Sequence, residues 1–216
     1  MTESRLAQAS RDICDIGLRL WQRSMVAAND GNISVRVGDA VVCTPTGVSK
    51  GFLTPETLTV LGLDGAVISG GRLPSSEVKM HLRVYELDPG VGAVVHAHPM
   101  FATMWAIKGE ALRCRMLPET IVMMPDVPLA PYATPSTAQV PDSITPLVSG
   151  HNACLLEQHG ALTWVSDLMQ AYLTMERLEY TAELMWRLRA AGAERDLDEA
   201  SIDRIRELFN VPAAAR

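Results

Sequence analysis

The chain has 216 residues, 48% hydrophobic and 20% charged, with a formal net charge of −6. That length suits one sizeable core and predicts a single domain over residues 1–216, and the acidic balance argues against nucleic acid or an anionic membrane surface as a partner, since neither is drawn to a negative overall field. Cys14, Cys43, Cys114 and Cys154 stand far apart without a CxxC pair, which points away from a sulfur-rich zinc site or a disulfide scaffold and toward reduced, mostly buried thiols; with no apolar leader and no run of ~18 apolar residues for a membrane span, a cytoplasmic protein is expected.

In chain order, Leu6, Ile13, Ile16, Leu18, Leu20 and Trp21 recur at a helical rhythm and predict an opening helix from Glu3 to about Val26. DGNISVRVGDAVVC follows as a β-hairpin, with Ile33, Val35 and Val37 alternating before a Gly-Asp turn and a second strand through Val41 to Cys43. TVLGLDGAVISGGRL adds short strands broken by Asp-Gly and Gly-Gly turns. Ser75 or Ser76 is placed to cap a helix whose first turn holds Glu77 and whose apolar stripe runs through Met80, Val84, Tyr85 and Leu87 until Pro89-Gly90. VGAVVHAHPM then reads as a strand from Ala93 to His98, with a helix after Pro99. Pro118, Pro125, Pro128, Pro131 and Pro135 punctuate a stretch expected to hold little regular helix, DSITPLVSG is a short helix, and NACLLEQHGALTWV is strand, glycine turn, strand. Two helices close the chain, Asp167 to about Ala191 and Asp196 to about Phe209. Helices at both ends of short, turn-linked strands predict an α/β/α sandwich around a mainly antiparallel sheet.

Five histidines occur in the chain, and His96 and His98 have the i, i+2 spacing that puts both side chains on one face of a strand. Alone, such a pair is as readily a hydrogen-bonded structural feature as a metal site. His159, at the glycine turn of EQHGALTW, and Glu77, at a helix start, are the further ligand candidates. Three neutral imidazoles and one carboxylate suit a borderline divalent ion, zinc first, in an open catalytic site. Glu77 also qualifies as a proton base beside a metal, against its plain role as an acid at a helix N-terminus. GNIS (Gly31–Ser34), TPTG (Thr44–Gly47) and PSSE (Pro74–Glu77) offer short hydroxyls, open backbone and a helix start, which are the ingredients of a phosphate site. There is no GxGxxG and no Gly-rich loop ending in Lys-Ser/Thr, so NAD and ATP have no signal. Lys50, in the polar TGVSKGF turn, reads as a solvated lysine or an anion contact at a pocket edge, and lacks the apolar setting that Schiff-base chemistry needs.

Taken together and in order, GNIS, TPTG, PSSE, HAHP and QHG resemble the class II aldolase and adducin-like family, nearest in pattern to fuculose-phosphate and related deoxyribulose-phosphate aldolases, over roughly Arg5 to Leu208. The resemblance implies a zinc site of His96, His98, His159 and Glu77, with Glu77 also the acid/base, and a substrate phosphate held by Asn32, Thr46, Gly47, Ser75 and Ser76. It implies cleavage of a ketose 1-phosphate to dihydroxyacetone phosphate and an aldehyde through a metal-stabilised enediolate, in a homotetramer. Dehydratases, 4-epimerases and decarboxylases of sugar phosphates share the pattern, as do non-catalytic adducin-like domains, which generally lack the full metal set. One departure is LPETIVMMPDVPLAPYAT, where Thr120 and Ile121 replace the family's His-Tyr pair; Tyr132 is not assigned the missing role, and Met116, Met123 and Met124 either line an aldehyde pocket or fill the core.

Overall fold

The computed structural model describes residues 2–211. Helix α1 (Thr2–Gln22) leads into the hairpin β1 (Asn32–Val37) and β2 (Ala40–Cys43), followed by β3 (Thr59–Gly62), β4 (Val67–Gly70), α2 (Val78–Leu87), β5 (Ala93–Ala97), α3 (Met100–Lys108), α4 (Pro118–Met123), β6 (Leu129–Ala130), α5 (Gln139–Val148), β7 (Ala153–Leu156), β8 (Gly160–Val165), α6 (Leu168–Ala190) and α7 (Glu199–Phe209). The strands form one sheet in the order β4-β3-β2-β1-β5-β8-β7-β6. Every neighbouring pair is antiparallel except β6 with β7.

The period-two alternation of the strands sorts the core into two layers. Ile33 and Val37 of β1, Ala93, Val95 and Ala97 of β5 and Ala161 of β8 face a cluster completed by Ile13, Leu20, Trp105, Tyr172, Met175 and Leu178 from α1, α3 and α6. Val94, Cys154, Leu162 and Trp164 face the other way, against Met80, Val84 and Tyr85 of α2 and Val140, Ile144 and Val148 of α5. Trp164 is 2% exposed, and burying such a side chain is worth about 3 kcal/mol by the area removed from water. The α/β/α sandwich with a mainly antiparallel sheet is thus the one expected. The thiols fit too: Cys43, Cys114 and Cys154 are buried and Cys14 half-buried, all four free. Among the described residues no helix is long and apolar enough to cross a membrane.

Three local expectations need correction. Helix α1 stops at Gln22 rather than near Val26 because Ser24 turns left-handed, with φ 56°. The Met25 N–H then reaches back to Leu20 O at 2.9 Å and the Ser24 N–H to Trp21 O at 3.0 Å, closing a Schellman-type cap. The proline-rich stretch does contain a helix, α4, which uses Pro118 in its first turn where a missing N–H costs nothing. Helix α7 begins at Glu199, three residues later than expected, because the Asp198 carboxylate accepts the Ser201 N–H at 2.7 Å and sets the start.

Candidate metal centre

Strand β5 delivers His96 fully buried, sharing the sheet face of Val94 beneath α2, and His98 one step beyond the strand end. The backbone of His98 is fixed because its N–H donates to Met25 O at 2.9 Å, the carbonyl presented by the α1 cap. His159 stands in the turn between β7 and β8, where its N–H donates to Leu156 O at 2.9 Å. Gly160 keeps that turn close to the β5 end: a Cβ there would lie 2.6 Å from Ala97 O and 2.7 Å from the His98 ring.

These placements bring the three imidazoles together, with ring centroids 4.7 to 5.0 Å apart. One nitrogen from each of His96, His98 and His159 lies within 4.8 Å of the other two. His96 Nε2 and His98 Nε2 are 3.1 Å apart, Glu77 Oε2 is 3.5 Å from His96 Nε2, and Glu77 Oε1 is 3.4 Å from His159 Nε2. Tetrahedral donors at bonds of about 2.0–2.1 Å stand roughly 3.3 Å from each other, so the spacing fits a small divalent ion. Oε1 of Glu77 is also buried without a hydrogen-bond partner, which an isolated carboxylate tolerates poorly. His96 donates Nδ1–H to Ala161 O at 2.9 Å, and that second contact leaves Nε2 as the lone-pair nitrogen. Burial, reinforced by the neighbouring imidazoles, holds the pKa of His96 well below 6.5 and lowers that of His98, so both rings stay neutral and available to a metal. Behind His98, Asp30 Oδ2 sits 3.5 Å from Nδ1, a backing carboxylate that the sequence reading missed.

Glu77 differs in one detail from expectation. It is itself the N-cap of α2, with φ −99° and ψ 5°, rather than a first-turn residue. Its side chain makes no capping bond, and Ser75 Oγ accepts the Glu77 N–H at 3.3 Å. The carboxylate is therefore left to face the histidines.

A cleft of about 220 Å³ opens beside the triad and is lined by Asn32, Thr46, Gly47, Ser75, Ser76 and Glu77, together with His98 and His159. All five residues assigned to an anion thus meet Glu77, His98 and His159 in one cleft. The link is a β-bridge between Pro45 and Pro74, with Thr46 N–H donating to Leu73 O at 3.0 Å and Ser75 N–H to Thr44 O at 3.1 Å. Lys50 corrects its expectation: it is 1% exposed rather than solvated. Its Nζ donates to Asn29 O at 2.9 Å and Val48 O at 2.6 Å, tying together the two loops that flank the cleft. Burial pushes its pKa down to about 8, but its ammonium is committed to carbonyls and does not line the cleft.

The methionines resolve as core filling, since Met124 is buried and Met116 and Met123 pack on the same cluster. Thr120 is buried against Thr181, with the two hydroxyls 2.9 Å apart, and Tyr132 is exposed. Among the described residues no tyrosine lines the cleft.

The residues least visible in sequence lie behind Glu77. Asn32, opposite His96 in the β1–β5 register, donates Nδ2–H to Glu77 Oε2 at 2.9 Å. Its Oδ1 is 2.5 Å from His81 Nε2, and the Ser34 hydroxyl lies 2.8 Å from both His81 Nδ1 and the Tyr85 hydroxyl. The available signal was the spacing of Glu77, His81 and Tyr85, which stand four residues apart on one face of α2. Burial pushes the pKa of His81 from 6.5 down to about 3, whereas the unfolded chain protonates it near 6.5. Unfolded molecules therefore bind the extra proton, so the stability that neutral His81 carries is complete above pH 6.5 and lost as pH falls below it. Going from pH 7.5 to 5.0 is expected to cost about 2 kcal/mol through this residue. Urea unfolding with chelator present should show that share of the pH dependence disappear in His81→Gln; an unchanged pH dependence would refute it.

Comparisons with known proteins point the same way as this geometry. Residues 11–186 match the model of the Class II Aldolase and Adducin N-terminal domain. An L-fuculose phosphate aldolase of Methanococcus maripaludis is 32% identical over 165 residues, covering 76% of this chain and 89% of that protein. A 3-oxo-tetronate 4-phosphate decarboxylase of Pectobacterium atrosepticum is 32% identical over 215 residues, covering 96% of each. The crystal structure of YgbL from Escherichia coli, described as a putative aldolase/epimerase/decarboxylase, superposes with a TM-score of 0.87 at 30% identity, over 93% of this chain and 99% of that one. A clustered histidine site on this fold marks a metal-dependent enzyme of lyase type. The chain belongs to the class II aldolase and adducin family.

Proposed function

We propose that the protein is a zinc-dependent aldolase that cleaves a ketose 1-phosphate, of the fuculose-phosphate or the 5-deoxy- or 5-methylthio-ribulose-phosphate kind, to dihydroxyacetone phosphate and an aldehyde. The observation that carries this reading is the position of Glu77, between His96 and His159 on one side and a hydroxyl-lined anion cleft on the other. His96, His98 and His159 would hold the ion, with Glu77 available as a fourth donor. When bound, zinc supplies Lewis acidity toward a carbonyl oxygen.

The remaining work falls to the chain's own side chains. Thr46, Gly47, Ser75, Ser76 and the second Nδ2–H of Asn32 receive the phosphate, and anchoring that end fixes the reacting carbons beside Glu77. As the C3–C4 bond breaks, its electron pair passes into an enediolate, the C4 hydroxyl passes its proton through solvent to the Glu77 carboxylate and the aldehyde departs. Glu77 then delivers a proton to C3, and in the condensation direction its carboxylate removes that proton. The neutral His96, buried and tethered to Ala161 O, stays in place throughout.

A second reading, decarboxylation of a 3-oxo-tetronate 4-phosphate, is favoured by two observations: the full-length similarity to such a decarboxylase and a cleft without a tyrosine to protonate the aldehyde oxygen. Both readings use the same anion cleft, and both are compatible with the homotetramer that we propose as the assembly.

Phosphorus NMR on a panel of ketose 1-phosphates separates them. Dihydroxyacetone phosphate appearing from at least one substrate, lost on chelation and restored by zinc, is the expected result. Release of carbon dioxide from 3-oxo-tetronate 4-phosphate, without cleavage of any ketose, would replace aldol cleavage with decarboxylation. Products of dehydration or 4-epimerisation would likewise overturn it.

A further inference from the structure

The chain behind Glu77 runs in one direction. An ionised carboxylate only accepts, so the group of Asn32 that lies 2.9 Å from Glu77 Oε2 is the amide NH₂. Its oxygen therefore faces His81, 2.5 Å away. An amide oxygen also only accepts, so His81 carries its proton on Nε2. Nδ1 is then a lone pair that accepts a hydrogen bond from the Ser34 hydroxyl at 2.8 Å, and Ser34 Oγ in turn accepts from the Tyr85 hydroxyl at 2.8 Å. Every member of the chain before Glu77 is buried: Ser34 0%, His81 1%, Tyr85 2% and Asn32 4% exposed. Burial keeps solvent from Ser34, His81 and Tyr85, and a reversal of any member would set donor against donor or acceptor against acceptor in a low-dielectric interior.

We propose that Tyr85, Ser34 and His81 form a one-way donor chain that fixes the Asn32 amide and, through it, the orientation of the Glu77 carboxylate, which makes His81 a positioning residue for the proton-moving group. The proposal rests on reading Glu77 as that group. Its consequence is a division of labour between the two carboxylate oxygens. Oε2 is tethered by Asn32, whereas Oε1 has no hydrogen-bond partner and points toward His159. Without the chain, Asn32 can turn its oxygen toward Oε2, and the carboxylate then swings away from the position in which Oε1 meets a substrate carbon. Of the proposed phosphate contacts only that of Asn32 belongs to this chain, while Thr46, Gly47, Ser75 and Ser76 lie outside it, so losing the chain falls mainly on the chemical step and disturbs one of five binding contacts.

Three measurements on the full chain test the proposal. First, long-range proton–nitrogen NMR on histidine-labelled protein, assigned against His81→Gln, is expected to show His81 protonated at Nε2 and bare at Nδ1. The opposite tautomer would overturn the chain. Second, His81→Leu, which removes the donor, is expected to lower kcat by about 10- to 100-fold, the usual effect of losing a residue that orients a metal-site group. KM should rise by less than kcat falls, since four of the five phosphate contacts are untouched and the larger part of the change falls on the transition state. His81→Gln, whose amide can still donate to Asn32 Oδ1, is expected to recover most of that loss. Equal kcat in the parent and His81→Leu, or equal damage in both variants, would overturn the positioning role. Should His81→Leu fail to fold, Ser34→Ala takes its place, with a fall in kcat of about tenfold expected alongside a smaller change in KM, and unchanged kcat as the refuting result. Third, zinc content should remain near one per chain in these variants. If the parent binds no zinc or turns over none of the panel, the proposed function fails by itself, and the tautomer alone then decides whether the chain exists.

Discussion

Glu77→Gln is expected to lower turnover by about 10²- to 10⁴-fold, the range that a positioned general acid or base contributes. The substitution keeps the volume and the helix start, because the Glu77 side chain makes no capping bond in α2. What it loses is the ability to exchange a proton. It also places an amide within reach of the Asn32 Nδ2, where the carboxylate now accepts at 2.9 Å, so the tether weakens together with the chemistry. The three histidines are untouched, and metal should remain bound, though less tightly for want of the fourth donor. Thermal unfolding, metal analysis and turnover on the same preparation check this. Turnover within about threefold of the parent, with zinc retained, would remove Glu77 from the proton transfer.

Deleting a ligand should act in the opposite order, through the metal first. For the parent, zinc at about 100 times its Kd is expected to add about 2.7 kcal/mol of stability by mass action. In a domain of this size that amounts to a rise in Tm of roughly 5–10 °C. His98→Ala is expected to abolish both that rise and the activity. His98 is the informative choice because its side chain is part-exposed whereas His96 is wholly buried. An alanine at position 98 therefore removes a nitrogen donor with little damage to the core. A zinc-dependent Tm rise of the parent's size in His98→Ala would mean that the ion sits elsewhere.

The sequence shows the metal centre more clearly than the machinery around it, and the reason is physical. His96 and His98 announce themselves because strand periodicity is simple and polar residues at the end of an apolar run are conspicuous. His159 is marked by the glycine that the turn requires, and the structure gives the reason in the crowding of any Cβ at Gly160 against Ala97 and His98. The sandwich follows from the same alternation, which places Val95 under one layer of helices and Val94 under the other. Lys50 was misjudged because its neighbours in sequence are polar, while its burial comes from distant packing and from carbonyls at Asn29 and Val48. His81 was passed over for a different reason: it interrupts the apolar stripe of α2, and its partners Ser34 and Asn32 lie 47 and 49 residues away. Helix ends moved because caps depend on one dihedral or one side-chain bond, as at Ser24 and Asp198.

The pairing of β5 with β8 and β1 has a consequence for how the protein comes into being. Asn32 faces His96, and His96 faces Leu162, in a register that a slip of one residue would invert. After such a slip Val95 and Ala97 would occupy the positions now held by imidazoles, and the histidines would enter the layer beneath α1 and α6. The candidate ligands come from three parts of the chain, at positions 77, 96–98 and 159, so they converge only once these long-range pairings exist. Such pairings are the slow, late events of folding. A divalent ion thus has nothing to grip in the unfolded chain beyond the local pair at 96 and 98. Bound there, a divalent ion would act as a lock on a finished register, slowing the way out of the native state while leaving the way in to the sheet alone.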